Sequence, residues 1–205
     1  MNEIRDAEIH HLIGGELCMD FANTLYGHAN APIHEYLLDY HDLVLWSRHA
    51  GILTEKETQG LLQKAHHHAN EAKAAFRRAT ALREVIYRVF ASLARTRPPK
   101  ADDLTVLHTA WLEALAHSHL SKTSTGFRLG WKNEYPLDRL LWPIVDSANK
   151  LLISEEVQQV KQCSGCDWLF VDRSRNHLRR WCSMKACGNR AKMRRHHARR
   201  KLGFK

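Results

Sequence analysis

No apolar run in this chain of 205 residues approaches the ~18 that a membrane span needs. The opening stretch, MNEIRDAEIHHLIGG, has acidic residues where a secretory leader would have a basic segment and a long apolar core. A cytoplasmic protein is therefore expected. The chain also lacks a nucleophile elbow, a glycine-rich phosphate loop and a His-Glu-x-x-His metal motif. No carboxylate pair stands at a spacing that compels acid–base chemistry, so an enzyme is not expected. There is no internal repeat, and no low-complexity tract apart from a basic end. Cysteine is scarce, with five in all. Four of them fall within 25 positions of one another, a clustering that favours metal ligation over a disulfide framework. The fifth, Cys18, sits in the apolar pattern LCMDFANTL and reads as a small buried hydrophobe.

Acidic residues are nearly missing from one end. Residues 161–205 hold 14 Lys/Arg against 2 Asp/Glu, a net of +12, whereas residues 1–160 hold 17 against 20, a net of −3. Hydrophobic residues make up 44% of the chain, enough for an ordinary core. A near-neutral body joined to a concentrated basic segment is the distribution of a polyanion-binding module on a larger domain.

Periodicity predicts a mainly α body with a short β element. Leu17, Cys18, Phe21, Ala22 and Leu25 share a helical face, stopped by Gly27. A second helix is predicted over 36–50 with Leu37, Leu38, Leu43, Leu45 and Trp46 inward. Thr54-Glu55-Lys56-Glu57 reads as a capping box opening a helix to about His68, in which the three consecutive histidines 66–68 are solvated. The clearest helix covers 71–94, and Pro98-Pro99 ends it. Asp102 or Asp103 is expected to cap another, running to Ala116. Phe127, Leu129 and Trp131 alternate with polar or small residues, which predicts a hairpin. Pro136 starts a further helix, to be kinked or restarted at Pro143. Apolar density falls over 154–161, so the expected division is a helical domain over residues 1–157 and a small module over 158–205.

The cysteines of that module are spaced Cys163-x2-Cys166-x15-Cys182-x4-Cys187. A two-residue gap turns both thiolates of a pair toward one ion, and Gly165 is expected to supply the conformational freedom of that turn. Four thiolates leave no open position, so the metal is structural: one Zn(2+) per chain, with iron as the chemical rival. A segment this small and charged cannot bury a self-sufficient core, and metal binding supplies the missing stability. Trp168 to Asp172 reads as a strand, with Trp168, Phe170 and Trp181 forming a miniature core. His177 has a surface or supporting role.

A basic helix follows the last cysteine. Arg190, Arg194, Arg195, Arg199, Arg200 and Lys201 leave it cationic around most of its circumference, and Arg173, Arg175, Arg179 and Arg180 extend the patch between the cysteine pairs. Arginine's planar fork suits phosphate oxygens and guanine edges. The patch points to DNA, with structured RNA or an acidic protein partner as alternatives.

The segments CSGC, WLFVDRSRN and RRWCSMKACGNRAK together resemble the CGNR-type zinc finger, with Cys187-Gly188-Asn189-Arg190 as the naming tetrapeptide. Upstream, LIGGELCMDFANTL, ALREVIYRVF and LWPIVDSANKLL resemble the ABATE-type domain that precedes this finger in bacterial stress-induced transcription regulators. The resemblance implies a DNA-binding regulator whose helical domain senses a small molecule. Candidate ligand contacts in the sequence are Asp20, Asn23, Thr24, Arg83 and Trp142. Structural roles compete with that reading: Asn23 and Thr24 can satisfy the backbone of a neighbouring turn, and Arg83 and Trp142 can serve a salt bridge and core packing. A single finger has a limited footprint, so specific binding is expected to need a homodimer through the helical body.

Overall fold

A computed structural model describes residues 12–26, 34–132 and 136–201. Helices α1 (Leu17–Ala22), α2 (Tyr40–His49), α3 (Glu55–His67), α4 (Ala69–Ala94), α5 (Ala101–Ala116) and α6 (Leu141–Leu152) form the body, and α7 (Asn189–Lys201) is the last element described. Three two-stranded antiparallel sheets interrupt them: β1 (Leu25–Tyr26) with β2 (His34–Glu35), β3 (Ser118–Thr123) with β4 (Gly126–Trp131), and β5 (Val160–Gln162) with β6 (Leu169–Val171). The mainly α architecture with a small β element and a cysteine cluster after the helical body is as the sequence predicts. No helix among the described residues is long and apolar enough to cross a membrane.

The long helix α4 is the spine. Its apolar stripe, including Ala75, Ala79, Ile86, Val89 and Phe90, packs among Phe21 and Met19 of α1, Trp46 of α2, Leu107 of α5 and Ile144 of α6. The capping box at Thr54 forms in full, with Glu57 N–H donating to Thr54 Oγ1 and Thr54 N–H donating to Glu57 Oε2 at 2.8 Å. His66, His67 and His68 are exposed, and Cys18 is wholly buried, with its thiol pushed up to about 12 by burial.

Several local expectations are corrected. Helix α2 begins at Tyr40, because the Asp39 side chain accepts the Asp42 N–H and stops the helix there; Leu38 is consequently exposed. Helix α5 is not capped by either aspartate. Lys100 holds the cap position, and Asp103 instead receives the Arg88 guanidinium at 2.5 Å. The helix expected from Pro136 opens as a 3-10 turn, Leu137–Leu140, and restarts as α6, whose first turn contains Pro143, so of the two outcomes expected at this proline the restart is the one found. At that place a missing N–H costs nothing, so no kink is needed. Helix α1 stops at Asn23 rather than at Gly27, which lies outside the described residues.

The change in composition near residue 158 is not a break in packing. Val160, Leu169 and Val171 sit in the same apolar core as the body helices. Strand β6 explains how. Side chains alternate across a strand, so Leu169 and Val171 face the body while Trp168 and Phe170 join the cysteines.

Candidate functional site

The four cysteines of the spacing motif converge. Their sulfur atoms all lie within 4.8 Å of one another, with Cys166 to Cys182 at 3.4 Å and Cys182 to Cys187 at 3.7 Å. Tetrahedral thiolate ligation at about 2.3 Å per bond requires sulfur separations near 3.8 Å, far longer than a ~2.05 Å disulfide. All four are buried, and the donor set fits one structural zinc. Without a cation the four thiols compete. Hydrogen bonds from Cys166 and Cys182 hold the Cys163 thiol far below its ordinary range, and bonding to Cys163 drives Cys166 and Cys182 far above it. Burial raises Cys187. A dication lets all four ionise together.

Strand β5 leads into Cys163, and the knuckle closes by Cys163 N–H donating to the Trp168 carbonyl at 2.8 Å. The left-handed residue of this turn is Asp167, with φ +64°, and not Gly165. Glycine is required at 165 for space: a Cβ there would meet Cys187 Cβ at 3.2 Å and the Trp181 ring at 3.4 Å. The Gly165 N–H also points at Cys163 Sγ from 3.4 Å. Cys182 follows Trp181, and Cys187 lies in the π-helical turn Met184–Gly188 that runs straight into α7. Trp168 and Phe170 are buried beside the cysteines and Trp181 is half-buried, the miniature core read from the sequence.

The loop between the pairs is organised by Asp172, whose side chain is fully buried. It accepts from Lys161 Nζ at 2.6 Å, from Ser174 Oγ at 2.6 Å and N–H at 3.1 Å, and from Arg179 N–H at 2.9 Å. Burial alone would raise this carboxyl. The ammonium and the three neutral donors outweigh it and hold the group below the usual carboxylate range. His177 is exposed, with its Nδ1 at 2.6 Å from the Asp172 carbonyl, so it supports the loop.

The arginines divide into two sets. Arg173 is tied down by Glu16, by Glu156 at 2.7 Å and by the Gly15 carbonyl. Arg179 lies 4.5 Å over the Phe170 ring and donates to the Trp181 carbonyl at 2.9 Å and to the Cys182 carbonyl. These two brace the finger. Arg175, Arg180, Arg190, Arg194 and Arg195 are exposed, joined by Lys185 and Lys192. Helix α7 contains no acidic residue. The side chains of Arg199, Arg200 and Lys201 lie outside the described residues.

Among the described residues, four of the five candidate ligand contacts serve the packing of α1, β2, α4 and β6, and Trp142 lies apart from them. Asn23 is buried and grips β6, with Nδ2 donating to the Leu169 carbonyl and Oδ1 accepting the Leu169 N–H, each at 2.8 Å. Thr24 donates to the Phe21 carbonyl and accepts from Arg83, whose guanidinium, 3% exposed, chelates Glu35 at 2.5 and 2.7 Å. Asp20 accepts the Gly14 N–H at 2.7 Å, with its carboxyl raised to about 6 by burial. Gly14 is glycine for this close approach, since a Cβ would stand 2.6 Å from Met19 Cβ. The Gly14 carbonyl in turn accepts the Val171 N–H at 2.8 Å. Trp142 lies elsewhere, stacked on His117 at 4.4 Å. A trough of about 700 Å³ opens instead between the start of α2, the end of α3 and the first half of α4. Leu38, Tyr40, Leu62, Phe76, Lys73 and Arg77 line part of it.

What sequence reasoning missed is the seam between finger and body. Besides Asn23 and Gly14, Trp168 Nε1 donates to the Leu25 carbonyl at 3.3 Å, Tyr87 Oη donates to the Asp167 carbonyl at 3.2 Å, and Ile13 and Tyr36 pack on the cysteine cluster. The available signal was Trp168-Leu169-Phe170-Val171. A strand apolar at every position is buried on both faces and therefore needs a partner on each.

Residues 15–155 match the ABATE family, described as "Putative stress-induced transcription regulator", and residues 159–200 match the CGNR zinc finger. No curated protein matches the chain.

Proposed function

The chain belongs to the ABATE family and carries a CGNR zinc finger, and from that premise we propose that it regulates transcription by binding DNA, without an enzymatic step. The observation that carries this reading is the acid-free helix α7, which starts directly after the fourth cysteine and has all its described basic side chains from Lys192 to Arg195 in solvent. Zinc fixes Cys187, Cys187 fixes the first turn of α7, and the helix is thereby presented at a defined angle to the body. Arg190 reinforces the join, with Nη2 at 4.0 Å from Cys187 Sγ. Arg180, resting over the Trp181 ring at 5.6 Å, extends the cationic surface. Duplex DNA is favoured over RNA because a rigid cationic helix matches the width of the B-form major groove, which A-form RNA does not offer.

If six of the exposed cations neutralise phosphates, log affinity falls with log salt at a slope of about −5. Replacing Arg194 and Arg195 together with Glu is expected to reduce the slope by about 2 and to weaken binding to all duplex sequences. Fluorescence anisotropy at several salt concentrations, with duplex DNA, structured RNA and an acidic polypeptide as competitors, measures both. Stronger competition by RNA at equal phosphate overturns the DNA assignment. An unchanged slope in the double variant overturns the role of α7.

For the effector that this reading gives to the helical body, the trough on α4 has suitable room, within the roughly 300–1,000 Å³ of small-molecule sites. Exposed Lys73 and Arg77, which outnumber the one acid of the lining, Asp39, stand over an apolar floor and suit an apolar molecule with an anionic group. A thermal-shift screen of such compounds should give a rise that Ala72→Trp, which fills the floor, abolishes. A rise that survives the substitution places the ligand elsewhere.

A further inference from the structure

We propose that two copies of this chain form a dimer by reciprocal arm exchange, the β3–β4 hairpin of each lying in the groove between α4, α5 and α6 of the other. Four large apolar side chains in the stretch 106–127 stand in solvent: Val106 is 48% exposed, Leu112 51%, Leu120 72% and Phe127 71%. Single exposed apolar residues are ordinary, but a clustered set marks an interaction surface.

The hairpin register puts the apolar groups of the arm on one face. Ser118 faces Trp131, Leu120 faces Leu129, and Lys122 faces Phe127. Side chains two apart on a strand share a face, so Leu120, Leu129, Phe127 and Trp131 form a single apolar strip. Its base is anchored, since Trp131 packs 6.2 Å from Trp142, which itself stacks on His117. Its outer end, Leu120 and Phe127, stands in solvent. A lone two-stranded hairpin is marginal in water, and covering this face would stabilise it.

The groove is the matching surface. It has a volume of about 320 Å³ and is lined by buried Leu82, Val85 and Trp142 and by exposed Val106, with exposed Glu113 and the Arg78–Asp138 ion pair also on its wall. One aromatic side chain fits such a recess. Charge identifies the occupant. The segment 118–132 carries Lys122, Arg128 and Lys132 and no acid, whereas α5 carries Asp102, Asp103 and Glu113 and no Lys or Arg. Asp103 is neutralised by Arg88, which leaves Asp102 and Glu113 exposed for a basic partner. The chain thus makes both halves of a complementary pair, with Leu120 and Phe127 exposed on the arm and Val106 and Glu113 exposed at the groove. A second copy satisfies both at once.

Trp142 lines the groove and also contacts the base of the arm, so arm and groove are neighbours in one molecule. Neighbouring complementary patches suit a two-fold axis, about which each copy gives one arm and receives one. Symmetry doubles the buried surface toward the ~1,600 Å² of a standard interface.

The test is the mass of the zinc-loaded 205-residue chain in solution by analytical ultracentrifugation, which is independent of any nucleic acid. The native chain is expected to be a dimer at 50 μM. Phe127→Asp and Glu113→Lys are each expected to raise the dimer dissociation constant at least tenfold. Combining Glu113→Lys with Lys122→Glu should restore association to within about threefold of native. Circular dichroism confirms that the variants, all at exposed positions, remain folded. A native monomer at 50 μM, a dimer indifferent to Phe127→Asp, or a failure of the charge exchange to restore association each overturns the proposal.

Discussion

Replacing Cys163 with Ser is expected to release about one zinc per chain and to unfold the finger while the body keeps its helices and melts lower. Apparent zinc affinities of isolated fingers correspond to about 10–16 kcal/mol, as much as the whole stability of many domains. Among the described residues the cysteine cluster has Trp168, Phe170 and Trp181 as its own large apolar support, with Ile13 and Tyr36 added by the body. That core cannot replace the metal. The effect also spreads across the seam, because β5 and β6 carry Val160, Leu169 and Val171 into the body core. Burying each such side chain contributes roughly 1.5–3 kcal/mol, so their release costs the body several kcal/mol. At ~2–4 °C per kcal/mol, the body should melt roughly 10–35 °C lower. Metal content by mass spectrometry and a far-ultraviolet circular dichroism melt measure the two parts. Unchanged zinc content would sink the ligand assignment, and an unchanged melt would sink the coupling.

Substituting Asn23 with Ala should be strongly damaging although it leaves the zinc ligands intact. The side chain satisfies both backbone groups of Leu169 in a fully buried setting, with two bonds of 2.8 Å. Removing it strands a donor and an acceptor, each at about 1–3 kcal/mol, for a total loss of roughly 2–6 kcal/mol. Asp at the same position keeps the acceptor but turns an oxygen toward the Leu169 carbonyl, so it should not rescue. Zinc stays bound in the Asn23→Ala chain, but a chelator should remove it faster because the finger detaches more readily. The decisive measurement is a double-mutant cycle in urea with Cys163→Ser. Once the finger is already detached, Asn23 has lost its partners, and its substitution should cost almost nothing more. Equal losses in the two backgrounds would show that Asn23 acts within the body alone.

Both predictions concern a seam that joins two segments read separately in the sequence. The metal ligands were legible because a tetrathiolate site needs four sulfurs and little else, so their spacing alone identifies them. The helices of the body were legible for a similar reason: the stripe on α4 and the capping box at Thr54 are local patterns with periods set by backbone geometry. The ends of elements were less legible. Asp39 moved the start of α2, and Asp103 went to Arg88 instead of capping α5, because a short acidic side chain serves a nearby backbone amide or a distant guanidinium equally well.

Tertiary structure alone decided which polar groups have partners. Asn23 and Leu169 are separated by 146 positions, and no period or motif relates them. Arg173 and Arg179 are identical in sequence terms to the exposed arginines around them, yet one holds Glu16 and Glu156 and the other braces the carbonyls of Trp181 and Cys182. Composition supplied the total positive charge of the finger. Which part of it faces solvent depends on the acids and carbonyls that folding brings within hydrogen-bonding distance, and those contacts exist only in three dimensions.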